Sequence, residues 1–161
     1  PSVEQFSIDE FFGDITGWID DKDAYDFAQY LRHEIQNRFN LPISIGIAKT
    51  KWIAKLATEF AKPHNVKIIH PEQVNSFIKD IKIEEFPGIG KGYQKRLEKF
   101  DIKTLGEVKE NKELFYQWKK PGIQLYNRIC GLDNEQLSLE RSKKSIGIGR
   151  TFDPLSNRKE I

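Results

Sequence analysis

The apolar pattern of this chain changes period once, near residue 80, and that change limits what the chain can fold into. Before it, strand-like and helix-like stretches alternate. Val3 to Ile8 and Phe11 to Ile15 read as two strands meeting at Asp9 and Glu10, close to a hairpin turn. Asp23 to Phe39 sets Ala24, Phe27, Ala28, Leu31, Ile35 and Phe39 at three- and four-residue steps, an amphipathic helix. Leu41 to Ile47 is a short apolar strand, Lys51 to Ala61 a second helix with Ile53, Ala54, Leu56, Ala57 and Phe60 on one side, and Val66 to Ile69 another strand. Pro71 opens a helix where its missing N–H is harmless. From Ile81 the strand signals stop. Ile83 to Phe86, Tyr93 to Phe100, Thr104 to Val108, Glu113 to Trp118 and Gln124 to Gly131 read as short helices separated by Gly and Pro.

The expected class is therefore α+β: a ferredoxin-like sheet with its helices on one face, ending near Ile69 to Ile78, followed by a small all-α part. After Gly131 the chain is polar to Lys144, which reads as a linker. Ser145 to Phe152 then reads as a strand without partners, and a lone strand is not stable by itself. The expectation is a chain cut inside, or at the edge of, a further domain. The absence of any methionine points the same way, although loss of an initiator Met before Pro1 would look identical.

With 161 residues there is room for one ordinary domain or two small ones. Hydrophobic residues at 38% and charged residues at 31% suit a folded, soluble chain, and no apolar run approaches the roughly 20 residues that span a bilayer. The one cysteine, Cys130, excludes an internal disulfide framework and suits a cytoplasmic setting. Lying in an apolar helical stretch, it reads as a buried, inert thiol. The net charge of +2 hides an asymmetry. Residues 1–40 carry three Lys or Arg against nine Asp or Glu, and the remaining 121 carry 23 against 15. An acidic head and a basic body suggest a cation site at one end and a polyanion track along the rest, against the plainer reading of an unevenly charged surface.

Two motifs carry chemistry. Phe86-Pro87-Gly88-Ile89-Gly90 is followed by Lys91, Lys95 and Arg96 at the start of a helix. The glycines can adopt backbone angles that other residues avoid, so free N–H groups and a helix-dipole end converge on one point that favours an anion. Ile89 would be the apolar plug between two helices. This resembles the helix-hairpin-helix element, which grips a DNA phosphate without reading sequence, and Thr104-Leu105-Gly106-Glu107-Val108 supplies a second helix signal. The competing reading is a tight turn with solvated lysines. The other motif is Ser7-Ile8-Asp9-Glu10-Phe11-Phe12-Gly13-Asp14. Adjacent carboxylates point to opposite faces of a strand, but a tight turn can bring both to one cation, the hardware magnesium-assisted phosphoryl transfer needs. By itself an Asp-Glu pair is more often a solvated turn.

The motifs together resemble the Y-family, translesion DNA polymerases. SIDEFFGDITG is similar to their palm motif, and ISIGIAKTKWIAKLATEFAKP to their next palm strand and helix. FPGIGKGYQKRLEKFDIKTLGEV is similar to their thumb hairpin, and KKSIGIGRTF to the entry of their little finger. Four motifs in the family's order span nearly the whole chain, nearer to the DinB and UmuC kind than to the eukaryotic members. The resemblance implies a palm portion over 1–80, a thumb over 81–133, a linker over 134–144 and the start of a little finger over 145–161.

It also implies roles. Asp9 and Glu10 would be two of three catalytic carboxylates holding two Mg²⁺ ions, with Ser7 close to the primer end. Lys62 would reach the triphosphate of the incoming deoxynucleotide, with Lys55 a weaker candidate for the same task. Lys49 and Lys51 would lie near the primer-template backbone. Gly88, Ile89, Gly90 and Lys91, flanked by Lys95, would hold a primer-strand phosphate. The implied partners are primer-template DNA and deoxynucleoside triphosphates, met by a monomer with no membrane role. A processivity clamp stays an open partner, because the family's clamp peptide is absent from this sequence.

Also absent are the family's D-x-D-x-F-F strand, which carries the third acid, and its fingers, so the chain itself is expected to be inactive. His64-Asn65-Val66 departs from the usual Asn-Gly after the proline. Two other readings stay open here: a non-catalytic helix-hairpin-helix DNA-binding module, and a nuclease or other two-metal enzyme.

Overall fold

A computed structural model describes residues 1–139 together with Gly147 and Gly149. Apart from those two glycines, the strand expected at Ser145 to Phe152 and the rest of the chain to residue 161 lie outside the described residues.

The chain opens with an antiparallel hairpin of β1 (Ser2–Gln5) and β2 (Phe11–Asp14), with Ser2 opposite Asp14 and Gln5 opposite Phe11. The first strand stops three residues earlier than the sequence suggests. The amides of Phe6 and Ser7 both donate to the Glu10 carbonyl, at 2.9 and 3.1 Å, and this curls residues 6–10 into a loop. A 3-10 turn over Asp21–Asp23 leads into α1 (Ala24–Phe39), which ends where Asn40 takes a left-handed conformation. Strand β3 (Ile45–Ala48) begins later than expected from Leu41, as suits Pro42, which has no amide to give to a ladder. Helix α2 (Lys51–Phe60) then crosses to β4 (Val66–Ile69), which pairs in parallel with β3.

The single ferredoxin-like sheet expected from the element order is not what forms. Among the described residues there are two two-stranded sheets, β1–β2 and β3–β4. A ladder requires backbones about 4.8 Å apart. The hairpin instead meets the N-terminal half of α2 through long side chains, Phe6 against Trp52 and Glu4 against Lys51.

Beyond β4 the described chain has only helices and turns. A 3-10 turn at Pro71–Gln73 runs into α3 (Val74–Ile78). The helix expected at Ile83 to Phe86 is a single 3-10 turn, Ile83–Glu85, because Pro87 holds Phe86 in an extended conformation. Then come α4 (Lys91–Glu98), α5 (Leu105–Glu110), α6 (Lys112–Gln117) and α7 (Lys119–Ile129). Helix α7 starts five residues before the expected Gln124, since Pro121 is tolerated in a first turn. Thr104 and Glu107 form a reciprocal capping box at the start of α5. The Lys103 and Thr104 amides that bond the Glu107 carboxylate hold it below the usual range.

One continuous core joins the two parts. Ile53 and Leu56 of α2 are fully buried in the same cluster as Ile78, Phe86, Leu97, Leu105, Phe115 and Ile129. Cys130 belongs to it too, and burial pushes its thiol above the ordinary value, in keeping with an inert side chain. None of the described helices is long and apolar enough to cross a membrane.

Gly46 fixes how closely β3 approaches α2. A β-carbon there would fall on the Ala54 carbonyl and the Thr58 amide, both backbone groups that cannot swing away. Gly46→Ala is therefore expected to destabilise the chain by about 2 kcal/mol through overpacking, read as a lower urea midpoint at unchanged m-value.

Candidate active site and nucleic-acid interface

The loop closed by Glu10 gathers the acids of the second motif. The Ser7 hydroxyl donates to Asp9 Oδ1 at 2.7 Å and has Glu10 Oε2 as an alternative acceptor at 3.3 Å, so both carboxylates converge on one hydroxyl. Asp9 is exposed and Glu10 half-buried. Their all-oxygen donor set suits a hard divalent cation in kind. Among the described residues no group of three or more Asp, Glu, His or Cys side chains forms a metal cluster.

Helix α2 presents Lys51 and Lys55 one turn apart toward this hairpin. Lys55 Nζ is ion-paired with Glu10 Oε1, and Lys51 Nζ with Glu4 Oε2 at 2.7 Å. Phe6 lies between the two pairs. It packs edge-on to Phe12 at 5.3 Å and to Trp52 at 6.2 Å, and Lys55 sits 5.0 Å from its ring centroid. Lys51 lies 4.8 Å from the Phe12 ring. The Lys51–Glu4 pair is sealed, each side chain only 9% exposed, and Glu4 also accepts from the Ser138 amide at 2.8 Å.

Both α2 lysines singled out in the sequence are thus paired with acids of the hairpin. Lys51, expected beside the DNA backbone, has its ammonium against a buried carboxylate, because β1 turns Glu4 inward onto α2. Lys55, the weaker candidate for the triphosphate, is paired with one of the catalytic candidates, Glu10. Lys62, just beyond α2, is exposed and pairs with Glu59 at 2.7 Å, a surface i,i+3 pair of little strength. Lys49 is exposed.

In the helical part, Gly88 has φ +97°, a conformation that favours glycine. Gly90 does not share it. As the N-cap of α4 it is extended, with φ −83° and ψ 176°, because a cap residue precedes the helical turn. Space is open where either glycine would carry a β-carbon, and both residues are exposed. Among the described residues, neither amide finds an acceptor within the chain. Ile89 is buried as the expected plug, but its amide donates to the Phe86 carbonyl at 3.1 Å and is not available to a ligand. Lys91 and Lys95 are exposed on α4, whereas Arg96 is drawn onto the Trp118 ring, 3.9 Å from its centroid.

Residues 1–59 match the model of the impB/mucB/samB family. Proteins named DNA polymerase IV are similar over nearly the whole chain. That of Pectobacterium atrosepticum is 36% identical over 153 residues, covering 93% of this chain and 44% of the relative. That of Yersinia pseudotuberculosis is 34% identical over 155, covering 94% and 44%. Over most of its length this chain is similar to DinB-like DNA polymerases of the Y family. It spans less than half the length of those curated relatives. Solved structures are similar to it as well. A Y-family DNA polymerase chimera has a TM-score of 0.77 at 25% identity, covering 88% of this chain and 43% of its own. DinB from Sulfolobus solfataricus has 0.73 at 25%, covering 86% and 42%.

What the sequence reading missed is the pairing of α2 with the hairpin. Its signal was present: two lysines four apart on α2, and an acid, Glu4, at an inward position of an alternating strand. A second such contact lies behind it. Glu135 accepts from Trp52 Nε1 at 3.0 Å and from Arg128 Nε at 2.5 Å. Burial raises the Glu135 carboxyl, and these two hydrogen bonds together with the nearby Arg128 and Lys51 charges more than offset that, holding it below the usual range.

Glu4→Gln leaves the Lys51 ammonium buried opposite a neutral group. The expected loss is about 3 kcal/mol of folding stability, measured by chemical denaturation.

Proposed function

We propose that this chain is the palm and thumb portion of a DNA-directed DNA polymerase that carries out translesion synthesis in DNA damage tolerance. Its palm portion would cover residues 1–80, its thumb with the helix-hairpin-helix 81–133, its linker 134–144 and the start of the little finger 145–161. The observation that carries the reading is the convergence of the Asp9 and Glu10 carboxylates on the Ser7 hydroxyl, in a loop held against the lysine face of α2.

Asp9 and Glu10 would hold Mg²⁺, two ions per site in the complete enzyme, with a third acid supplied from a strand outside this sequence. Bound there, the metal supplies charge stabilisation for in-line nucleotidyl transfer from a deoxynucleoside triphosphate. Ser7 orients both carboxylates and would lie near the primer 3′ end. Lys62, whose surface pair with Glu59 is easily exchanged, would bind the triphosphate. In the thumb, the free Gly88 and Gly90 amides at the start of α4 would hold a primer-strand phosphate, with Lys91 and Lys95 as screening cations. Lys49 would face the DNA backbone. The helix-hairpin-helix module without catalysis is the second reading, favoured by the ion pair that Glu10 makes with Lys55.

In a full-length polymerase carrying this chain, Asp9→Ala or Glu10→Ala is expected to abolish primer extension and leave DNA binding nearly intact, since most affinity comes from backbone contacts. A mutant that keeps a tenth of the wild-type rate overturns the metal-ligand role of that residue. The 161-residue chain alone, with two acids, is expected to give no extension in the same gel assay.

Gly90 provides the cleaner thumb test, because its backbone suits any residue while Gly88 would be strained by one. Gly90→Val and Gly88→Val should both weaken duplex binding for every sequence alike, and flatten the salt dependence by about one charge for each phosphate the thumb no longer holds. Fluorescence anisotropy at several salt concentrations measures this. A folded Gly90→Val chain that binds like wild type makes the hairpin a structural turn only.

A further inference from the structure

The two ion pairs between α2 and the hairpin look alike in sequence but differ in burial. Lys51 and Glu4 are each 9% exposed, and separating them would strand a buried charge. The Lys55 and Glu10 side chains are 15% and 42% exposed, so their pair lies at the rim, where water compensates an ion that leaves. The Lys55 ammonium also has a second hold, the Phe6 ring 5.0 Å from its nitrogen, which keeps it at the site when the carboxylate lets go.

We propose that Lys55 is a displaceable counter-ion of Glu10: it occupies the carboxylate until a divalent cation takes that oxygen, and is then released toward the anionic substrate. The inference rests on the reading of Glu10 as a metal ligand. Without Lys55, Asp9 and Glu10 would face each other across one hydroxyl with no compensating positive charge in contact among the described residues. A divalent cation at Glu10 repels the ammonium at short range, and Phe6 confines where the ammonium can go. The freed lysine is a flexible point cation suited to a phosphate group. Cation arrival and lysine availability are thus linked through one carboxylate oxygen.

The test is Mn²⁺ binding to a full-length polymerase carrying this chain, followed by the electron paramagnetic resonance signal of the free ion, so that it does not depend on turnover. Lys55→Met removes the competitor and should bind Mn²⁺ about fivefold tighter than wild type, as removal of one close like charge implies. Lys55→Gln serves as the second variant should the first fail to fold. Lys55→Arg keeps the charge and should stay near wild type. Lys67→Met removes one exposed charge on β4, away from the pair, and should change nothing. Unchanged or weaker Mn²⁺ binding by folded Lys55→Met or Lys55→Gln overturns the proposal. Glu10→Gln separates the two readings. If it weakens binding while the Lys55 variants do not tighten it, this inference alone falls; if it changes nothing, or no variant binds Mn²⁺, the ligand role of Glu10 falls and takes this inference with it.

Discussion

Helix α2 is asked to satisfy two environments at once, and the rest of the structure is arranged around that demand. One side buries Ile53, Leu56 and Ala57 in the core that continues through Phe86, Phe115 and Ile129. The other presents Lys51 and Lys55 to the acids of the hairpin. A ten-residue helix is marginal in water, so the burial of its apolar side holds it in place. The lysines then inherit fixed positions one turn apart. Gly46 lets β3 lie directly on this helix, so the strand pair, the helix and the acids share one frame.

The hairpin and α2 are held together by charge and aromatic packing instead of a backbone ladder. Phe6 lies between Phe12 and Trp52, and both ammonium groups sit near aromatic rings. Such a junction is specific because each ammonium is paired with a particular carboxylate, Lys51 with Glu4 and Lys55 with Glu10. It is also graded: the Glu4 end is sealed, and the Glu10 end opens to solvent, where a ligand can compete. Stability and chemistry are thereby assigned to different ends of the same pair of side-chain rungs.

The segment after α7 returns to this junction. Glu135 bonds Trp52 and Arg128, Arg128 stacks 4.2 Å from the Trp52 ring centroid, and the Ser138 amide reaches Glu4. The helical part is thus tied to the acid-bearing hairpin by polar contacts as well as by the shared core. A change in the path of residues 133–138 would be felt at Glu4, and through Lys51 at the first turn of α2.

Element type was legible in the chain because it depends on local periodicity. The α1 and α2 spacings, the β4 run and the Thr104–Glu107 cap all act within a few residues, and the DinB-like motifs likewise lie in short contiguous stretches. The clustering of Asp9 and Glu10 was legible too, since they are neighbours and only a turn was needed. Which acid each α2 lysine would meet was not. Lys51 and Lys55 have the same chemistry and the same spacing logic, and only the approach of a hairpin more than 40 residues away decides that one is buried on Glu4 and the other lies at the rim on Glu10. The split into two sheets was likewise a tertiary outcome: strand pairing depends on whether two backbones come within hydrogen-bonding distance, and here the hairpin meets helix α2 through Phe6–Trp52 and Glu4–Lys51, with no ladder to β3 or β4 among the described residues.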